Sequence, residues 1–118
     1  METRKILKNI ALDTPLILKD EVQVMPGQVV SKTLVQNEGV GITLFAFDKG
    51  EEISTHGSSG DALVYLLEGE GEFTVGGKKR KLTEGECLVM PADIPHAVFA
   101  PAAFKMLLVV VFPQKGTS

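Results

Sequence analysis

Short stretches in which apolar and polar residues alternate, each closed by glycine, proline or asparagine, make up most of the chain. In order they are Leu16 to Lys19, Val22 to Met25, Val29 to Val35, Val40 to Asp48, Ala62 to Leu67, Gly71 to Val75, Lys78 to Leu82, Glu86 to Met90, His96 to Ala100 and Lys105 to Phe112. A period of two is the signature of a half-buried strand, whose successive side chains leave on opposite faces. No stretch keeps an apolar stripe of helical period, and only Thr3 to Leu12 leaves a helical turn or an edge strand open. Many short strands with turn signals between them predict an all-β sandwich or barrel.

The turns have a chemical basis. Gly76 and Gly77 can both take positive φ, as a two-residue hairpin requires, and Asn37-Glu38-Gly39 and Thr83-Glu84-Gly85 offer further tight corners. Gly69 and Gly71, set in an apolar-rich stretch, mark a bend or bulge where a sheet curls. Leu63 to Leu67 and Met106 to Phe112 are apolar on both parities, so both of their faces need cover. One face lines the barrel. The other calls for the N-terminal strands or a twin subunit, so a homodimer is expected, with an N-terminal arm, residues 1–30, at its interface.

Composition narrows the class. A chain of 118 residues with 44% apolar content fits one domain, residues 1–118, with a core of its own. A formal charge of −3 and a single basic run, Lys78 to Lys81, argue against nucleic acid as a partner; the run reads as a solvated strand edge. The longest apolar run, Met106 to Phe112, is far shorter than the ~20 residues of a membrane helix, so no membrane partner is expected. The charged start, Met1 to Lys8, lacks the apolar run of a signal peptide, and a cytoplasmic location is expected. Cys87 has no second cysteine to pair with and, lying in the apolar run to Met90, reads as a small core residue.

Two segments carry a more specific signal. Gly50-Glu51-Glu52-Ile53-Ser54-Thr55-His56, continuing through Leu63 to Gly71, resembles the first motif of the cupin superfamily: glycine, five residues, His-x-His, three or four residues, Glu, six residues, glycine. Gly85 to Pro91 followed by Ile94-Pro95-His96 resembles the second: glycine, five residues, Pro-x-Gly, two residues, His, three residues, Asn. The motifs lie at 50–71 and 85–100, and the resemblance extends over roughly Val40 to Phe112. It implies an antiparallel jelly-roll β-barrel, the double-stranded β-helix, with a site inside its mouth.

The departures from that pattern bear on function. His56 and His96 match the first and last ligand positions of the family, but Ser58 stands at its second histidine and Ala62 at its glutamate. Asp93 replaces the glycine of the second motif and Ala100 its asparagine. Strand alternation puts His56, Ser58, Ala62, Val64 and Leu66 on the interior face with His96, Val98 and Ala100. Phe45 and Phe47 are candidate walls of the resulting pocket. Two neutral imidazoles without a carboxylate form a weak metal site. Asp61, at the end of the flexible Gly57-Ser58-Ser59-Gly60 loop, is the nearest further donor or histidine partner, and is otherwise a loop-capping carboxylate.

The first reading is therefore a small-molecule-binding cupin, with a mostly apolar pocket containing His56 and His96. The alternative is an enzyme, with His56, His96 and Asp61 as catalytic candidates. It has a metal-dependent version, dioxygenase- or isomerase-like, using a weakly bound divalent transition metal on His56 and His96 with Asp61. It also has a metal-free version resembling the cupin epimerases, in which a histidine pairs with Asp61. A third class, a module with no site, requires an interior filled by side chains, against which the small Ala62 and Ala100 argue.

Overall fold

A computed structural model describes residues 6–115. Eight antiparallel strands make up its regular structure: β1 (Val29–Gln36), β2 (Val40–Phe47), β3 (Glu52–His56), β4 (Asp61–Val75), β5 (Lys78–Thr83), β6 (Cys87–Met90), β7 (His96–Phe99) and β8 (Phe104–Val111). They form the expected all-β jelly roll. The first sheet runs β1-β2-β8-β4-β6 and the second β3-β7-β4-β5.

Strand β4 belongs to both sheets. Residues Asp61 to Gly69 pair with β8, and Glu70 to Val75 with β5. The crossing is made by a register shift between Leu66 and Glu68 and by Gly69, whose φ is +82°. A Cβ on Gly69 would stand 2.2 Å from the Ala103 carbonyl oxygen, so only glycine fits. The two sequence-predicted strands Ala62–Leu67 and Gly71–Val75 are thus one bent strand, with the bend where Gly69 and Gly71 place it. Gly76 and Gly77 both adopt positive φ, as the β4–β5 hairpin requires.

Two of the predicted strands are not strands. Leu16 to Lys19 and Val22 to Met25 belong to an irregular arm whose only regular element among the described residues is a 3-10 turn at Leu18–Glu21. Residues 6–12 form bends, and residues 3–5 of the undecided Thr3–Leu12 segment lie outside the described residues. The arm lies on the outer face of the first sheet, where Ile10, Leu18, Val22 and Val24 pack against Leu34, Leu44, Ala46 and Leu107. Long-range polar ties hold it there: buried Lys105 Nζ donates to the Lys19 carbonyl at 2.8 Å, and Lys32 reaches Glu21 at 3.3 Å. Its apolar residues thus bury themselves without the ladder their alternation suggests.

The main core lies between the sheets. Phe47, Phe73 and Phe104 are fully buried there, with Phe47 and Phe104 stacked at 4.5 Å between ring centroids. Cys87 is not part of it. It pairs with Tyr65 and projects from the outer face, because alternation along β6 sends Leu88 and Met90 inward and Cys87 and Val89 outward.

Candidate functional site

A cavity of about 260 Å³ opens at one end of the interior, a size near the lower end of small-molecule pockets. Its walls are Phe45, Ile53, Ala62, Met90, Val98, Met106, Leu108 and Val110, and its polar groups are His56, His96 and Ser58. Of the predicted pocket residues, Phe45, Ser58, Ala62 and Val98 line it. Val64, Leu66, Ala100 and Phe47 face the interior as alternation requires, but each has 0% exposure and lies deeper, in the packed core. These four differ from the lining residues in depth: large aromatic rings fill the other end of the barrel and leave them no open space.

The two histidines are placed by different devices. His96 begins β7 and points inward by ordinary alternation, its side chain only 4% exposed. His56 ends β3, where alternation from the inward Ile53 would turn it outward. A register shift between Ile53 and His56 re-aims it, so that His56 pairs with His96 across the β3–β7 ladder. The rings stand edge to face at 72° with centroids 4.3 Å apart, His56 on the solvent side.

Hydrogen bonding fixes what each ring can present. His56 Nδ1 lies 2.9 Å from the Ser54 carbonyl and His96 Nδ1 lies 3.3 Å from the Ile94 carbonyl. A carbonyl only accepts, so each contact calls for the proton on Nδ1 and leaves Nε2 as a lone pair. Yet the two Nε2 atoms face each other at 3.1 Å. Two lone pairs at that distance repel unless something electron-poor lies between them. In the neutral pair one proton must move to Nε2; the longer His96–Ile94 contact is the cheaper to give up, so His96 donates to His56. Addition of one more proton satisfies all the contacts together. Burial opposes this by holding His96 below the ordinary imidazole range, with the charge of His56 a second cause; the Ile94 carbonyl pulls the other way.

Asp61 does not join the pair. Its Oδ1 accepts from the Ala92 backbone N–H at 2.8 Å, and it faces an outer crevice beside Asp93 and Gln114. Its neighbour Ala62 takes the inward position, as strand alternation dictates. Asp61 is a loop-capping carboxylate, and the predicted His–Asp partnership is not formed. Ser58 Oγ lines the cavity while accepting from the Gly60 N–H at 3.1 Å. Ile53, Met90, Met106, Leu108 and Val110 complete the lining, and their inward parity beside the motif histidines was the available signal for them.

The donor set does not fit a firmly held metal ion. Two Nε2 lone pairs 3.1 Å apart could occupy neighbouring positions on one ion, but the two remaining ligand positions of the family hold Ser58 and Ala62. Among the described residues no group of three or more His, Cys, Asp or Glu side chains converges to hold one.

Comparison with known proteins agrees with this architecture. The chain resembles a conserved protein of unknown function from Streptococcus pyogenes, with 45% identity over 96% of this chain and 99% of the other and a TM-score of 0.93. A cupin superfamily protein from Desulfitobacterium hafniense shares 35% identity over 90% of this chain and 97% of its own, with a TM-score of 0.85. A cupin 2 conserved barrel domain protein from Leptotrichia buccalis shares 44% identity over 79% of this chain and 45% of its own, with a TM-score of 0.77. No curated protein matches the chain. No helix among the described residues is long and apolar enough to cross a membrane. The family model for the cupin domain matches residues 43–112, more than half the chain, and with the motif spacing and the two-sheet barrel it establishes that the chain belongs to the cupin family.

Proposed function

We propose that this cupin binds a small, largely apolar molecule carrying one hydrogen-bonding head group. The body occupies the aliphatic cavity and the head meets the histidine pair. One observation carries this reading: among the described residues, the paired polar groups on the cavity wall are two imidazoles whose Nε2 atoms converge at 3.1 Å. A neutral imidazole carries one N–H donor and one lone pair, so the pair can match a head group that donates or one that accepts. Apolar walls supply affinity through burial at roughly 25 cal/mol per Å² removed from water. Among the described residues the metal-dependent version of an enzyme finds no third His, Cys, Asp or Glu donor, and the histidine–carboxylate version lacks its carboxylate, since Asp61 is turned to the outside.

The test is a thermal-shift and calorimetric screen of small aromatic and aliphatic carboxylic acids, phenols and amides, with elemental analysis of protein purified without added metal. A hit is expected to bind the native chain and to lose at least tenfold in affinity, about 1.4 kcal/mol, in His96→Ala. A bulky substitution in the wall, Ala62→Phe, is expected to abolish binding by filling the cavity. Binding that survives both substitutions, or stoichiometric tightly held metal in the purified protein, overturns the reading.

A further inference from the structure

The polar groups on the cavity wall are unevenly supplied with protons. Each imidazole keeps its Nδ1 beside a backbone carbonyl, Ser54 for His56 at 2.9 Å and Ile94 for His96 at 3.3 Å, so both contacts are met only when both rings carry their proton on Nδ1. That arrangement turns two Nε2 lone pairs on each other at 3.1 Å. The pair by itself escapes by moving a proton to His96 Nε2, which sets the Ile94 carbonyl against a bare Nδ1. Ser58 is the reverse case: its Oγ accepts from the Gly60 N–H at 3.1 Å, and the hydroxyl proton is its remaining donor. The wall therefore offers two convergent acceptors and one donor.

We infer, resting on the pocket reading above, that the head group is a primary carboxamide, its NH2 giving one hydrogen to each Nε2 and its carbonyl oxygen accepting from the Ser58 hydroxyl. Two hydrogens on one nitrogen let both rings keep their Nδ1 protons and restore the Ile94 contact, as an added proton would, but they bring no charge into the cavity. An ammonium also has hydrogens to spare, yet among the described residues no Asp or Glu side chain lines the cavity to offset its charge, since Asp61 faces the outer crevice. A hydroxyl or a protonated carboxylic acid donates once and leaves the Ile94 carbonyl unpaired. A ketone, an ester or a carboxylate only accepts; it must take the His96 proton and strand the His56 lone pair. The aliphatic walls leave room for a body of one small ring within about 260 Å³.

Calorimetry on the full chain with benzamide, N-methylbenzamide, acetophenone and benzoate keeps the ring and changes the head. Benzamide is expected to bind roughly tenfold or more tighter than acetophenone and benzoate, the scale of one buried acceptor left unpaired, with N-methylbenzamide between them. In His56→Ala, which removes one acceptor at an exposed position, that preference should shrink several-fold, while Ser58→Ala should weaken benzamide and acetophenone alike. The chain has two histidines, so a long-range proton–nitrogen correlation spectrum of the unmodified protein reads both rings. Benzamide should bring both to the Nδ1–H tautomer, and this readout stands even if a variant does not fold. Acetophenone or benzoate binding as tightly as benzamide, or a His96 ring that keeps its proton on Nε2 in the benzamide complex, overturns the inference and leaves the pocket reading standing. Binding by none of the four overturns it as well; the pocket reading falls with it only if no other head group binds. A metal ion held tightly between the two Nε2 atoms overturns both.

Discussion

The two ends of the barrel interior are built from the same strands and differ in almost every physical respect. Along β8, Phe104 lies in a fully packed region, while Met106, Leu108 and Val110 line the cavity. Along β7 and just past it the order is reversed: His96 and Val98 face open space, and Ala100, which follows the strand, is sealed. Three aromatic rings close one end, with Phe73 set edge-on to Phe104 at 6.1 Å. Two imidazoles stand at the other, where the sheets separate and no aromatic ring fills the gap except Phe45 on the wall. Stability is concentrated at the packed end, and capacity for a ligand at the open one.

The largest break in that contrast is expected from Phe104→Ala. Deleting a ring that stacks on Phe47 and touches Phe73 should cost about 3–5 kcal/mol, read from the urea midpoint at constant m-value. A loss below about 1 kcal/mol would mean that the end is not packed as described. Gly69→Ala comes next. It forces a Cβ into the left-handed region and against the Ala103 carbonyl, for about 1–3 kcal/mol by the same measurement.

Acid provides a gentler test of the open end. The folded-state pKa of His96 is lowered, so the unfolded chain binds the proton more readily. The stability this provides is complete above the ordinary imidazole value of about 6.5 and is lost as pH falls through the lower folded value. Unfolding midpoints measured across that window should decline, and His96→Gln should flatten the decline. The smallest effect belongs to His56→Ala. The residue is exposed, so stability at neutral pH should move by no more than about 0.5 kcal/mol. The acid decline should become shallower without vanishing, because burial is the leading cause of the His96 shift and the charge of His56 the second.

Much of this organisation was legible in the residues. The hairpin at Gly76-Gly77, the bend at Gly69 and the inward parity of Ala62, Val64 and Leu66 all follow from local rules of φ and alternation. What could not be read was distance along the barrel axis. Val64 and Ala62 share a face, but which of them meets open space depends on where Phe47, Phe73 and Phe104 lodge, and those rings come from three strands. Strand β3 was missed for a related reason. Glu52, Ser54 and Thr55 give it no apolar rhythm, and its existence rests on pairing with β7, forty or more residues later. The arm misled in the opposite sense: its alternation resembles a strand, yet its partners are side chains and a buried lysine.

Strand β4 contributes rungs to both sheets, one on either side of the bend at Gly69, and this shapes how the molecule should come apart. Peeling one sheet away would strip half of the shared strand of its ladder and uncover the core that lies between the sheets, so neither is expected to open alone. Amide hydrogen exchange at Leu66 and Phe73, on opposite sides of the bend, should therefore report the same opening free energy, that of a single concerted melt of the whole barrel.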